Sequence, residues 1–150
     1  MAGRSTEELR DRLAGTWWLV SRIDRAGDGT IRQDPALGSD PLGILTYTRD
    51  RFAAQFMKRD RSSANTVDPA GSGRNNTSAV GGYDAYFGQY RIGEEGQVMH
   101  RLEGALTAAN VGQEFARGLH VDGDKLTIVL ETATQEGEPV TRTLTWDRIG

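Results

Sequence analysis

No cysteine occurs in this chain of 150 residues, which excludes a disulfide framework and any thiolate metal site. Histidine is confined to His100 and His120. Two are too few for a multi-histidine zinc centre, so no metal and no other cofactor is expected. Proline is scarce, at 4 residues, while glycine reaches 19. That imbalance suits many tight turns between strands. No apolar run approaches the length needed to cross a bilayer. The opening residues, Met1 to Leu13, are polar and amphipathic and lack the apolar stretch of a signal peptide. The expectation is a cytoplasmic chain with no membrane partner, and the overlapping Asn-x-Ser/Thr matches at Asn75 and Asn76 are then chance. Basic charge is also short, with a net charge of -3 and a pI of about 5.4. Arginines are interspersed with acids and form no basic stripe, which argues against nucleic acid as a partner.

Two catalytic signatures are missing as well. There is no Gly-x-Ser-x-Gly elbow, and Ser21 has no evident base. The glycines between 60 and 82 are not followed by Gly-Lys-Ser/Thr, so they make no phosphate loop.

The remainder reads as an ordinary globular chain, 37% hydrophobic and 26% charged, of a length that fits one domain over 1–150. Ser5-Thr6-Glu7-Glu8 has the form of a capping box, Leu9 and Leu13 share a face, and Gly15 comes after them as a stop. This predicts a short helix over 6–14, too short to stand alone and therefore packed over one end of the rest of the chain. From Gly15 onward, alternation and turn residues predict strands at 15–25, 43–48, 51–59, 84–92, 97–106, 112–121, 125–134 and 140–149. Asp122-Gly123 is a strong hairpin signal. The stretch over 60–82, mostly Ser, Asn, Gly and Ala, has no periodicity and reads as a long polar loop, functional or disordered. Eight evenly spaced strands joined by short turns make a sandwich or a barrel. An up-and-down meander that closes leaves no unpaired edge. The expected fold is therefore all-β, an eight-stranded antiparallel barrel with a short N-terminal helix and room for one small ligand.

Side chains alternate along a strand, so one parity of each faces the interior. The apolar residues select Trp17, Leu19 and Ile23 in the first strand, with Trp18 and Val20 outward. They select Gly43, Leu45 and Tyr47 in the second, and Tyr86, Gly88, Tyr90 and Ile92 in the fourth. The fifth offers Val98, His100, Leu102, Gly104 and Leu106, and the sixth Gln113, Phe115, Arg117, Leu119 and Val121. Leu126, Ile128 and Leu130, then Leu144 and Trp146, complete the set. The third strand is apolar on both parities, and Ala53, Gln55 and Met57 are taken inward over Phe52 and Phe56. Tyr47, Gln55, Tyr86, Tyr90, His100, Gln113 and Arg117 then point inward among apolar residues. That is too polar for a dry core, because buried polar groups need partners. A cavity holding a ligand or water satisfies them. The acids fall mostly on outward parity, so no paired-carboxylate site is expected.

Several segments, taken in order, carry a resemblance. They are Leu13-Ala14-Gly15-Thr16-Trp17-Trp18-Leu19-Val20-Ser21, Asp40-Pro41-Leu42-Gly43-Ile44-Leu45-Thr46-Tyr47-Thr48, and Tyr83-Asp84-Ala85-Tyr86-Phe87-Gly88-Gln89-Tyr90. The Val98-x-His100 strand, the Asn110-Val111-Gly112 turn and the closing Leu144-x-Trp146-x-Arg148 continue it. From about Leu13 to Ile149 the chain resembles the lipocalin-like domain proteins of bacteria and fungi. It departs from their pattern at Trp18 and at Arg51, where a glycine is common. The resemblance implies a barrel that can hold a small molecule, without fixing which one.

Two function classes fit. The first is a binding module for a small apolar or amphipathic molecule, with Tyr47, Gln55, Met57, Tyr86, Gln113, Phe115 and Trp17 as ligand contacts. The second is a non-redox, metal-free cyclase, isomerase or dehydratase acting on a polyketide-like or terpenoid-like substrate. There His100, Tyr90 and Arg117 would move protons or stabilise charge. Strand pairing places Tyr90 beside His100 and Arg117 near the same level. The plainer readings are a structural His100 bonded to a tyrosine hydroxyl, an Arg117 paired with an outer acid, and Trp17 and Trp146 as core plugs. A third class, a barrel whose exterior binds another protein or a second copy of itself, would show an apolar patch near Trp18 and Phe52.

Overall fold

A computed structural model describes residues 2–61 and 79–150, with the backbone alone for 2–5. The sequon asparagines and most of the 60–82 stretch lie outside the described residues. Helix α1 (Ala2–Leu13) is followed by β1 (Gly15–Ala26), β2 (Ile31–Arg32), β3 (Leu42–Tyr47), β4 (Arg51–Met57) and β5 (Tyr83–Ile92). Then come β6 (Val98–Ala105), β7 (Glu114–Asp122), β8 (Lys125–Ala133) and β9 (Pro139–Arg148), with a short 3-10 turn at Ala108–Asn110 between β6 and β7. Every pairing is antiparallel, in the order β1-β3-β4-β5-β6-β7-β8-β9, and β9 returns to β1 to close eight strands into a barrel. The two-residue β2 pairs with the far end of β1. Asp122 pairs with Lys125 across a two-residue turn, where Gly123 takes a φ of 60°, as the Asp-Gly signal requires.

The helix begins at Ala2 rather than at 6, so Ser5 lies inside it and is not its cap. Of Ala2 to Arg4 only Gly3 disfavours a helix, and the turn extends. As expected, α1 covers one end of the barrel. Leu13 is fully buried and Leu9 packs on the core. Arg12 donates to the Val121 carbonyl, and Arg49 at the β3–β4 turn pairs with Glu7 and Asp11. At this helix end Trp17 is fully buried, its indole N–H donating 3.0 Å to the Leu13 carbonyl. The Arg148 guanidinium lies 4.2 Å from the centroid of the same ring.

Two β-bulges decide what faces inward beyond this plug. In β1 the register with β9 slips between Leu19 and Ser21. Trp17 and Leu19 point in before the bulge; Arg22, Asp24 and Ala26 point in after it. Ile23, expected inside, is therefore outward. In β6 the register with β5 slips at Phe87/Gly88. Leu102 is buried, but beyond it Ala105 takes the inner face and Leu106 is left exposed, contrary to the expectation from simple alternation. One extra residue flips every later side chain. Gly88 and Gly104 accommodate the slip. A Cβ on Gly88 would overlap the Arg101 carbonyl oxygen, and one on Gly104 would strike the Phe87 ring that lies over it.

In β4 the aromatic parity wins: Phe52, Ala54 and Phe56 are buried, whereas Ala53 and Gln55 are exposed and Met57 half-buried. Two phenylalanines fill an interior that an alanine and a glutamine would leave open. Phe52 is 3% exposed, so it joins no outer apolar patch with Trp18, the feature that would have favoured a protein-binding exterior.

Candidate ligand cavity

Away from α1 the interior opens into a cavity of about 300 Å³. Its apolar wall comes from Leu45, Ala54, Phe56, Leu102, Phe115, Ile128, Leu130, Leu144 and Trp146. Leu37, from the β2–β3 loop, and Asn110, from the β6–β7 connection, close over it. The polar lining is Arg22, Asp84, Tyr86, His100, Arg117, Glu131, Thr132 and Arg142. A wider depression of about 600 Å³ lies at the rim, between the Gln33–Gly38 segment and the β8–β9 turn. Its lining is charged and polar, with no aromatic side chain, unlike the amphipathic interior of an organic-ligand site.

His100 is 3% exposed. Its ring stacks on Phe52 at 4.1 Å between centroids, and its Nε2 lies 2.6 Å from the Tyr47 hydroxyl. Burial, aided by the positive charge of Arg117, lowers its pKa to about 3, so the imidazole is neutral near neutral pH. Burial pushes the Tyr47 phenol well above its ordinary value. Tyr47 therefore keeps its proton and donates it to Nε2, which leaves the ring proton on Nδ1. Nδ1 has no protein partner, and neither does the indole nitrogen of Trp146. Both side chains contribute to the cavity lining, but these two nitrogen atoms are themselves closed off from it.

Toward the far end a buried ionic cluster ties the barrel to the loop above it. Arg142 grips Asp24 with two hydrogen bonds, of 2.8 and 2.9 Å, across a β1–β9 register pair. Arg22 meets Asp34 at 3.0 Å, and Arg142 approaches the same carboxylate at 3.9 Å. The other Asp34 oxygen accepts from the Ala36 N–H at 2.9 Å. Asp34 thus both turns its loop and anchors it, so that Leu37, 2% exposed, can cap the cavity. Desolvation, with repulsion from Arg142, lowers the Arg22 pKa to about 10. Asp84 also lines the cavity. Burial raises its pKa to about 7, against the Ala85 N–H and Arg22, which pull it down. This carboxyl changes charge near neutrality.

A family model described as the lipocalin-like domain matches residues 14–149. The chain belongs to the lipocalin-like family. No curated protein matches it.

In this lipocalin-like barrel the expected site residues divide. His100, Arg117, Tyr86 and Phe115 all line the cavity, and Tyr86 lies within reach of the Arg117 guanidinium. Tyr47 is buried behind His100 rather than at the wall. Tyr90 does pair with His100 in register. Its hydroxyl, however, turns to the helix end and donates 2.8 Å to the Thr48 carbonyl, beneath Arg10. Trp17 is a plug at that end. Gln55 and Met57 fall away with the inverted parity of β4, and Gln55 instead accepts from the Tyr83 hydroxyl outside. Gln113 precedes β7, is exposed, and donates to the Ala109 carbonyl. Arg22, Asp24, Asp34, Asp84 and Arg142 were not anticipated. Asp84 shares its parity with Tyr86, and Arg142 with Leu144 and Trp146, so alternation pointed to both. The inward turn of Arg22 and Asp24 needed the β1 bulge.

Proposed function

We propose that this lipocalin-like protein binds one small amphipathic organic molecule inside the barrel. The observation that carries the reading is a largely apolar cavity with a few polar side chains set into its wall, Tyr86 and Arg117 among them, the composition of a small-molecule site rather than of a filled core. The volume sets the size. About 300 Å³ is the space that roughly ten water molecules occupy in the liquid, which suits one or two fused rings rather than a long chain.

A second reading, cofactor-independent proton-transfer chemistry on that molecule, is favoured by one residue. Asp84, with its pKa of about 7, can take or give a proton at neutral pH from within the same cavity. His100, held neutral, serves as a hydrogen-bond donor rather than an acid. Native mass spectrometry of the purified protein, compared with the denatured sample, tests binding. A co-purified small molecule is expected, lost on unfolding and absent from a Leu144→Trp variant that fills the cavity. If that molecule is also turned over, Asp84→Asn is expected to slow the reaction by roughly 10²–10⁴-fold. An equal rate in the variant would leave binding alone.

A further inference from the structure

We infer that the molecule held in the barrel is an organic acid, with a carboxylate on a compact apolar body. The inference rests on the binding reading and adds the charge of the ligand's polar end. Three observations carry it. First, the cations lining the cavity are not equivalent. Arg142 is matched by Asp24 and Arg22 by Asp34, whereas no carboxylate of the described residues lies within ion-pair reach of Arg117. Arg117 is only half-buried, lies over the Phe115 ring, is within reach of the Tyr86 hydroxyl and donates to the Ala116 carbonyl; these neutral contacts leave its charge without a counter-ion, for an incoming oxygen pair to meet.

Second, Tyr86, His100 and Trp146 in the same wall offer nothing that favours a cation. The Tyr86 hydroxyl lies within reach of Arg117, the Nε2 acceptor of His100 is taken by the Tyr47 phenol, and Trp146 can only donate. A positive charge beside a phenol O–H in one apolar space is complementary to an anionic oxygen and offers little to a cation or an amine. Third, the lining acids repel an anion only weakly. Glu131 is exposed, so water and salt screen its charge, and Asp84 is about half protonated near pH 7.

The test uses three probes of one shape: naphthoate, the corresponding methyl ketone and the corresponding ethyl compound, titrated calorimetrically into the full chain in neutral buffer. Naphthoate is expected to bind most tightly and the ethyl compound most weakly. Arg117→Met is expected to weaken naphthoate by roughly 10–100-fold and to leave the ethyl compound within about twofold. Arg117→Lys, which keeps the charge, is expected to restore part of the loss. If the ethyl compound binds the wild-type chain as tightly as naphthoate does, the acid is wrong while the cavity reading stands. If Arg117→Met weakens both probes alike, the acid is likewise wrong. If none of the three binds, both readings fall. The order of the probes on the wild-type chain decides even where a variant does not fold.

Discussion

Asp34→Ala is expected to destabilise the barrel by roughly 3–5 kcal/mol. The carboxylate is buried, faces Arg22 at 3.0 Å and sits 3.9 Å from Arg142. Its removal takes from the desolvated Arg22 guanidinium its ion-pair partner while Arg142 still repels it, with Asp24, already held by Arg142, as the remaining acid acting on it, and breaking a buried pair costs far more than the pair contributes over an apolar substitute. The loop turn centred on Asp34 is lost as well. Asp34→Asn separates the two effects, since its amide oxygen can still accept from Ala36 while the charge is gone. Most of the loss should therefore persist in Asp34→Asn. An Arg22→Met, Asp34→Leu double variant should regain much of it, because no unpaired charge remains. Urea melts give the values. A loss below about 1 kcal/mol for Asp34→Ala, the level of an exposed pair, would mean that water reaches the cluster.

The second large effect is a pair of titrations that oppose each other. The folded His100 titrates at about 3 against an ordinary 6.5. Between those values the unfolded chain holds a proton that the folded one does not, so stability is lost as pH falls from 6.5 toward 3. The folded Asp84 titrates at about 7 against an ordinary 3.8. There the folded chain holds the extra proton, so stability is lost as pH rises from 3.8 to 7. Each effect amounts to roughly 4–5 kcal/mol over its window. Where the windows overlap they cancel, and the wild-type profile is expected to be nearly flat with respect to these two groups.

Asp84→Asn should expose the histidine slope, with stability climbing as pH rises to 6.5. His100→Gln, which still offers Tyr47 an acceptor, should expose the reverse slope up to about pH 7. Denaturant midpoints taken across the acid range read both. Constant offsets in stability do not matter; curves that run parallel to the wild type would show that the group titrates alike in the folded and unfolded chains.

Much of the fold was legible because its signal is local and repeated. Alternating apolar residues and Gly-rich turns marked all eight barrel strands, and Leu126, Ile128, Leu144 and Trp146 lie where their parity put them. The failures have physical causes. Strand β4 is apolar on both faces, so its direction was set by the bulk of Phe52 and Phe56, a matter of filling space across the barrel. The bulges at Val20 and Glu103 carry no glycine or proline at the extra residue, and they moved Ile23 and Leu106 outward. Tyr90 was in register with His100, yet register does not say which way a long side chain leans along the strand. The buried arginines and aspartates were missed because a charged residue reads as exterior until its partner is known. Asp24 and Arg142 find each other only when the first and last strands meet.

That meeting has a consequence for how the chain is made. Trp17 pairs opposite Arg148 and Ala26 opposite Val140, so one edge of β1 has no strand beside it until almost the whole sequence has been synthesised. Contacts of such long sequence separation form slowly. During that interval β1 exposes Trp17 and Leu19 together with a row of unpaired backbone groups, the state most prone to join a neighbouring chain. Helix α1, encoded immediately before it, meets Trp17 at its end, where the indole donates to the Leu13 carbonyl. It can shelter that end of the strand while the rest of the barrel is still being made.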